Sequence, residues 1–368
     1  MFKAGLWGVV VAVGIGVEGC GRVEELLDDL AHHGEGRPDG GGGAGCPLTG
    51  CAATEPTAGA TLRTVWIAGT GEVWTAGDAG LVGRRSSAGA WCWCAQPSAT
   101  KLNDVWGSAD GDVWFVGDAG VVLHWNGGSF ESVPGVAAGQ RLSGVSGTGA
   151  ADVWTVGDAG TIRHFDGTSW SALDAASAYT LNDVWTSDPA NVWVVGSNPT
   201  VDAPTGLRGS EAIALRRTEA GWMKNVAFAQ GYGFASLVGI DGTSPTDIWA
   251  VGPNQPAGAA SPIGGAAHFD GTRWTVPATP IDFFLNNELS GVAAGTPDAP
   301  AGAWMVGGVQ AIRTDGKGSW TKSDNPLVGD LIAIDARGDA MFAVGPNLRV
   351  VRWTGTDWTA DFGPVPAP

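Results

Sequence analysis

The stretch "DVWFVGDAGVVLHWNGGSF" (112–130) is written almost again as "DVWTVGDAGTIRHFDGTSW" (152–170). Aligning the chain on this stretch gives seven copies. The first aromatic is Trp74, Trp114, Trp154, Trp193, Trp249, Trp304 and Phe342, each followed three residues later by Gly77, Gly117, Gly157, Gly196, Gly252, Gly307 or Gly345. A second aromatic closes each copy: Trp91, Phe130, Trp170, Trp222, Trp274, Trp320 and Trp358. The copies start at or near residues 62, 102, 142, 181, 237, 289 and 331.

Each copy divides into four short strand signals. In the second they are "LNDVWGS", "DVWFVGD", "GVVLHWN" and "SFESVP", separated by Gly-Asp and Asn-Gly-Gly turns. Four antiparallel strands in about 40 residues make a propeller blade. One blade cannot bury both its faces, so it needs neighbours of the same kind. The pattern predicts an all-β, seven-bladed β-propeller over 61–368 in which most of the 19 tryptophans wedge between blades. All seven copies are complete, so no split blade is apparent to close the ring.

The copies resemble the BNR or Asp-box class of bacterial propellers (WD/YVTN/BNR-type), with some similarity to the photosystem II assembly-factor type. "DVWxVGDAG" and the closing "HFDGTSW" (164–170) and "HFDGTRW" (268–274) carry the resemblance. It implies a β-propeller fold. Its sialidase members would need an arginine cluster and a tyrosine nucleophile with a supporting carboxylate. Only Tyr179 and Tyr232 exist, and no arginine triad stands at matching inner-strand positions. The chain therefore reads as a non-enzyme with no cofactor.

The first 19 residues pair Lys3 with an apolar run, Ala4 to Val17, too short for a comfortable membrane span. The run leads into Val17-Glu18-Gly19-Cys20, which resembles a bacterial lipobox with Glu18 departing from it. The resemblance implies lipidation at Cys20 and, with Gly21 following, an outer-membrane lipoprotein facing the periplasm or the surface. Residues 20–60, rich in glycine, read as a flexible tether. The formal charge of −17 argues against nucleic acid, whose phosphates need clustered Lys and Arg. Membrane contact is expected through the lipid anchor only.

Four cysteines remain: Cys46, Cys51, Cys92 and Cys94. An even number in an exported chain points to disulfides. Cys92 and Cys94 lie two apart on one strand, so they share a face and should cross-link the tether end to the first blade. Six residues before each closing aromatic stand Arg85, His124, His164, Arg216, His268, Thr314 and Arg352. Six of these seven are basic, and structural bonding explains them more simply than an anion band or a metal site. Asp78, Asp118 and Asp158 read as turn residues before Ala-Gly.

The copies lose regularity at 197–212 and 253–266, both between second and third strands, and in the interblade links 225–236 and 277–288. All four should emerge on one face of blades 4 to 6. They carry Tyr232, Phe234, Phe283, Phe284, Asn286 and Asn287, aromatics beside amides that suit contact with an envelope protein or glycan. A further insertion, 296–303, falls on the opposite face. The leading expectation is a non-catalytic binding or assembly scaffold in the cell envelope. The alternative is a lectin or carbohydrate-active enzyme using the same loops.

Overall fold

The computed structural model describes residues 48–364, apart from 50–51, 97–99, 174, 176–177, 202–207, 226–232, 255–262, 278–287, 297–298 and 309. All of these lie in one compact unit, Gly42–Pro368. Seven antiparallel sheets form in chain order, each built from one repeat. Their inner strands are Leu62–Ile67, Leu102–Ala109, Leu142–Gly149, Thr180–Asp188, Gly239–Ser244, Gly291–Thr296 and Ala333–Arg337. The ring runs from blade 1 to blade 7 and back, with each inner strand beside the next.

The recurring second-strand glycine has a steric cause. A Cβ at Gly77, Gly117, Gly157, Gly196, Gly252 or Gly307 would lie 1.9–2.2 Å from the carbonyl oxygen of the residue before the blade's leading leucine. No side chain fits there. The wedge role of the tryptophans is equally direct, because each second-strand aromatic packs on the following blade. Trp114 meets Phe165 and Trp170; Trp193 meets Phe269 and Trp274; Trp304 meets Trp353 and Trp358. Centroid distances of 4.7–5.6 Å in these pairs are those of tilted and edge-on aromatic contacts.

The closing joint, blade 7 to blade 1, follows a different rule. Blade 7 offers Phe342 in place of tryptophan, and blade 1 answers with Arg85, its guanidinium carbon 5.3 Å from that ring. Arg85 forks onto Asp361 at 2.7 and 3.0 Å, and the Trp91 indole N–H joins the same carboxylate at 2.9 Å. Arg85 and Asp361 are 12% and 9% exposed, so the pair is largely removed from water. The ring closes through these side chains, through main-chain bonds from the Leu62 N–H to the Gly345 carbonyl and from the Leu348 N–H to the Ala60 carbonyl, and through a shared apolar cluster that includes Leu62, Trp93, Val344 and Val350.

Part of the stretch read as tether belongs to the propeller. Leu48 is buried among residues of blades 1 and 2. The Phe130 N–H on the outer strand of blade 2 donates to the Thr49 carbonyl. Ala52–Ala53 then adds a fifth strand to blade 1, with Ala52 opposite Ala95 and Ala53 opposite Cys94. Cys92 and Cys94 both contribute to the apolar cluster that holds Leu48, so they do share a face. Cys46 and Cys51 lie outside the described residues.

Removing one partner of the Arg85–Asp361 pair leaves a charge buried without its counterpart, which costs about 3–5 kcal/mol. Asp361→Ala should therefore lower the midpoint of chemical unfolding substantially. An equivalent change at exposed Asp324 should leave it almost unmoved.

Candidate functional site

The central channel holds a cavity of about 750 Å³ lined by all seven inner strands. An inner strand has a sheet partner on one side only, so some of its N–H groups face the next blade without a ladder acceptor. Aspartates supply those acceptors. Asp104 accepts from the Val145 N–H at 2.8 Å, Asp183 from Ile240 at 2.9 Å, Asp241 from Ala294 at 2.7 Å and Asp335 from Ile67 at 2.6 Å. The other oxygen of each carboxylate accepts the N–H of its own following residue. Four joints are thus pinned by a carboxylate: 2 to 3, 4 to 5, 5 to 6 and 7 to 1.

The remaining joints use smaller groups. Thr64 takes the Val105 N–H and donates to Asp104, linking blades 1 and 2. Ser290 donates to the Ile332 carbonyl, linking 6 and 7. Asn103 and Asn182 reinforce two of the aspartate joints by donating to the Leu142 and Leu237 carbonyls, each at 2.7 Å. At the joint from blade 3 to blade 4 the matching residue is Ser143, whose hydroxyl is buried without a partner. There Gly144 lets the strands close up instead, since a Cβ on it would lie 2.8 Å from the Asp183 Cα. Trp66, Trp106 and Trp185 also line the channel, each lying over a glycine of the next blade: Gly107, Gly147 and Gly242.

These four aspartates are half-buried and line the channel. Burial pushes Asp104 and Asp335 up to about 6 and Asp241 up to about 7, and lifts Asp183 well above the usual range. Repulsion from neighbouring channel aspartates adds to the rise at Asp104, Asp183 and Asp241, while the backbone N–H bonds oppose it.

The cation ring lies away from the channel, and its register differs from the sequence expectation in two blades. Opposite the second-strand aromatics stand Arg84, His124, His164, Arg216, His268, Arg313 and Arg352, so all seven are basic. Arg85 and Thr314 are one residue off. The hairpin before the outer strand has five residues in blades 1 and 6 (86–90 and 315–319) against four in blade 2 (126–129). Counting back from the closing aromatic therefore slips by one. The histidines lie flat on Trp114, Trp154 and Trp249 with centroids 4.0, 4.1 and 4.3 Å away. Their Nε2 atoms meet Asp112, Asp152 and Asp247 at 2.6–2.7 Å. Ser108, Thr148 and Thr243 donate to the same carboxylates. Burial would raise Asp112 and Asp247, but the bonds from His124 and His268 and from the hydroxyls hold both below their ordinary value.

In blades 1 to 3 Asp-Ala-Gly turns join the second and third strands. Asp78 pairs with Arg63 at 2.8 Å, and Asp118 with Lys101 at 3.2 Å and Arg141 at 3.6 Å. Ala79, Ala119 and Ala159 hold φ of +55 to +58°, a left-handed conformation that costs a residue with a Cβ about 1 kcal/mol. In blades 4 and 5 the turn is replaced by longer hairpins, paired out to Val201↔Arg208 and Asn254↔Ile263. The end of the link between these blades lies between the hairpins. Ala212 N–H donates to the Phe234 carbonyl at 3.0 Å and Ala235 N–H to the Pro253 carbonyl at 3.1 Å. Ser210 Oγ donates to the Ala235 carbonyl at 2.6 Å. Three of the four expansions thus meet on one face.

Phe234 is not a surface contact. It is 5% exposed and packs with Trp193, Leu237 and Phe269, because a Cβ-less Gly265 leaves room for its ring. Tyr232, Phe283, Phe284, Asn286, Asn287 and Cys20 lie outside the described residues. The channel aspartates went unremarked in the sequence, although "LND" occurs twice and "GID" and "AID" once each. Among the described residues no group of three or more His, Cys, Asp or Glu is arranged to hold a metal ion.

Two predictions test the channel. A carboxyl whose folded pKa lies above 3.8 holds its proton more tightly in the folded chain. Its contribution to stability is full below about pH 4 and is lost as pH rises to about 7. The melting temperature should therefore fall by several degrees from pH 5 to pH 8, and Asp241→Asn should flatten that slope. Ser143→Asn, by donating to the Leu181 carbonyl, should add about 1 kcal/mol, raising the melting temperature by about 2–4 °C in a differential scan.

No family model matches the chain, and no curated protein does. Solved structures share its fold. YCF48 bound to D1 peptide superposes with a TM-score of 0.59 at 16% identity, over 82% of this chain and 99% of that one. YCF48 from Cyanidioschyzon merolae gives 0.57 at 16%, over 83% and 98%. The WD40 repeats of RRP9 give 0.53 at 11%, over 81% and 92%. With these structures the chain shares a β-propeller architecture.

Proposed function

We propose that the chain is a non-catalytic scaffold that binds a protein partner on the face carrying the long hairpins of blades 4 and 5. The supporting observation is the main-chain junction of Ser210, Ala212, Phe234, Ala235 and Pro253, which fuses three expansions into one platform. An ordinary propeller turn needs no such platform, and loops that break a repeat are where repeat folds place recognition. The residues suited to proton transfer point the same way. The channel aspartates are occupied by backbone N–H groups, and His124, His164 and His268 by aspartate and indole. A similar structure was solved with a peptide bound, which accords with this reading.

The scaffold is further read as an exported, BNR-like lipoprotein held at Cys20 by a lipid anchor in the outer membrane, with residues 20–47 as its tether. Cys46 and Cys51 are proposed to bond with Cys92 and Cys94. The pairing of Ala53 with Cys94, which brings the chain just after Cys51 to blade 1, supports this.

Capture from envelope extract should be compared between the full chain and a Phe283→Ala, Phe284→Ala variant of equal melting temperature. A protein held by the first and lost by the second is the expected result. Equal capture by both would remove this face as the site, and capture of a glycan instead would favour the lectin alternative. Radiolabelled palmitate should enter the native chain and not Cys20→Ser.

A further inference from the structure

Four of the seven third-strand cations follow one rule, and three depart from it. In blades 1, 2, 3 and 5 the residue two before the second-strand aromatic supplies a carboxylate to the cation. Glu72 meets Arg84 at 2.8 Å, Asp112 meets His124 at 2.6 Å, Asp152 meets His164 at 2.7 Å and Asp247 meets His268 at 2.7 Å. In blade 4 the residue is the neutral Asn191, and Arg216 lies over Trp193, 5.4 Å from the ring centroid. In blade 6 it is Gly302, where a Cβ would lie 1.8 Å from the Thr314 carbonyl, so backbone closes that position.

In blade 7 the residue is Ala340, which carries no acid, and its cation is Arg352, set opposite Phe342. Arg352 is 48% exposed. The one carboxylate paired with it among the described residues is Asp361 at 4.0 Å, and Asp361 is already forked by Arg85 and bonded to Trp91. A groove of about 780 Å³ opens at this place, between blades 7 and 1, with Ala340, Phe342, Arg352, Trp353 and Arg85 in its wall and exposed Asp339 at its rim. The space exists because Phe342 is smaller than the tryptophan of the other blades, while Trp91 packs on Trp93 and Phe362.

We propose that this groove receives the Asp or Glu side chain of a partner protein segment, with its carboxylate on Arg352 where the other blades supply their own. The occupant is argued from the fold itself. Four blades fill the same position with a carboxylate carried on an extended backbone, so the geometry suits a peptide acid. Phe342 and Trp353 offer an apolar wall for a neighbouring side chain. A buried or half-buried guanidinium–carboxylate pair is a strong, directional contact. The groove lies on the face opposite the long hairpins, so this second surface stands or falls separately from the first.

The test titrates the full chain with acetyl-Ala-Phe-Glu-Ala-amide and with its Gln counterpart, read by calorimetry. The Glu peptide should bind about tenfold more tightly, the effect of one charge-assisted contact. Arg352→Ala should erase that difference. Ala340→Asp should supply the missing acid internally, so it should abolish peptide binding and raise the melting temperature. Equal binding of the two peptides, no saturation by about 10 mM, or unchanged binding to Ala340→Asp would overturn the proposal. The Ala340→Asp arm decides the matter even if Arg352→Ala fails to fold.

Discussion

Everything in this ring depends on how an inner strand satisfies the N–H groups it turns toward the next blade. A sheet edge facing water could leave them to solvent, but at a blade joint the neighbouring strand excludes it. A buried N–H without an acceptor costs about 1–3 kcal/mol. The chain meets this cost with short side chains that accept across a joint, carboxylates at four and Thr64 at a fifth, while Ser290 donates to a carbonyl at the sixth and Gly144 allows close backbone approach at the seventh. The arrangement places four acids around one channel, which is why burial and mutual repulsion lift them. Their elevation follows from the joining of blades.

The aromatic wedge works at a larger radius and is the second requirement. It explains why the chain repeats tryptophan and glycine together. The tryptophan fills the space between diverging sheets, and the glycine lets the second strand reach the carbonyl before its own blade's leading leucine. At the closing joint the aromatic rule relaxes, while Gly345 keeps its place. Phe342 is too small, Arg85 replaces an apolar partner, and an ion pair with Asp361 supplies the cohesion. The groove at that joint is the geometric remainder of the same relaxation.

Much of this was legible in the residues. The seven copies, the strand count, the wedge tryptophans and the shared face of Cys92 and Cys94 follow from spacing that period-two strands impose. The channel aspartates were harder to see because they do not occupy one column. Asp104 and Asp183 sit two after the leading leucine, whereas Asp241 and Asp335 sit four after it, and only the third dimension shows that both reach the same kind of N–H. The cation ring was legible but misplaced by one residue in two blades, where a longer hairpin shifts the count. Phe234 looked like a loop aromatic because nothing in the sequence says that Gly265, thirty-one residues later, leaves a socket for it.

The strap at residues 48–53 has a mechanical meaning. Tension applied to the chain ahead of Leu48 does not arrive first at the inner strand of blade 1. It meets the contact of Thr49 with Phe130 and the pairing of Ala52 and Ala53 with Ala95 and Cys94, at the outer edges of blades 1 and 2. These pairings stand between such a pull and Leu62, and with it the joint closed by Asp335. With the cross-links proposed from Cys46 and Cys51 to Cys92 and Cys94, a pull on the tether would end on the outer strand of blade 1, far from the joint that closes the ring.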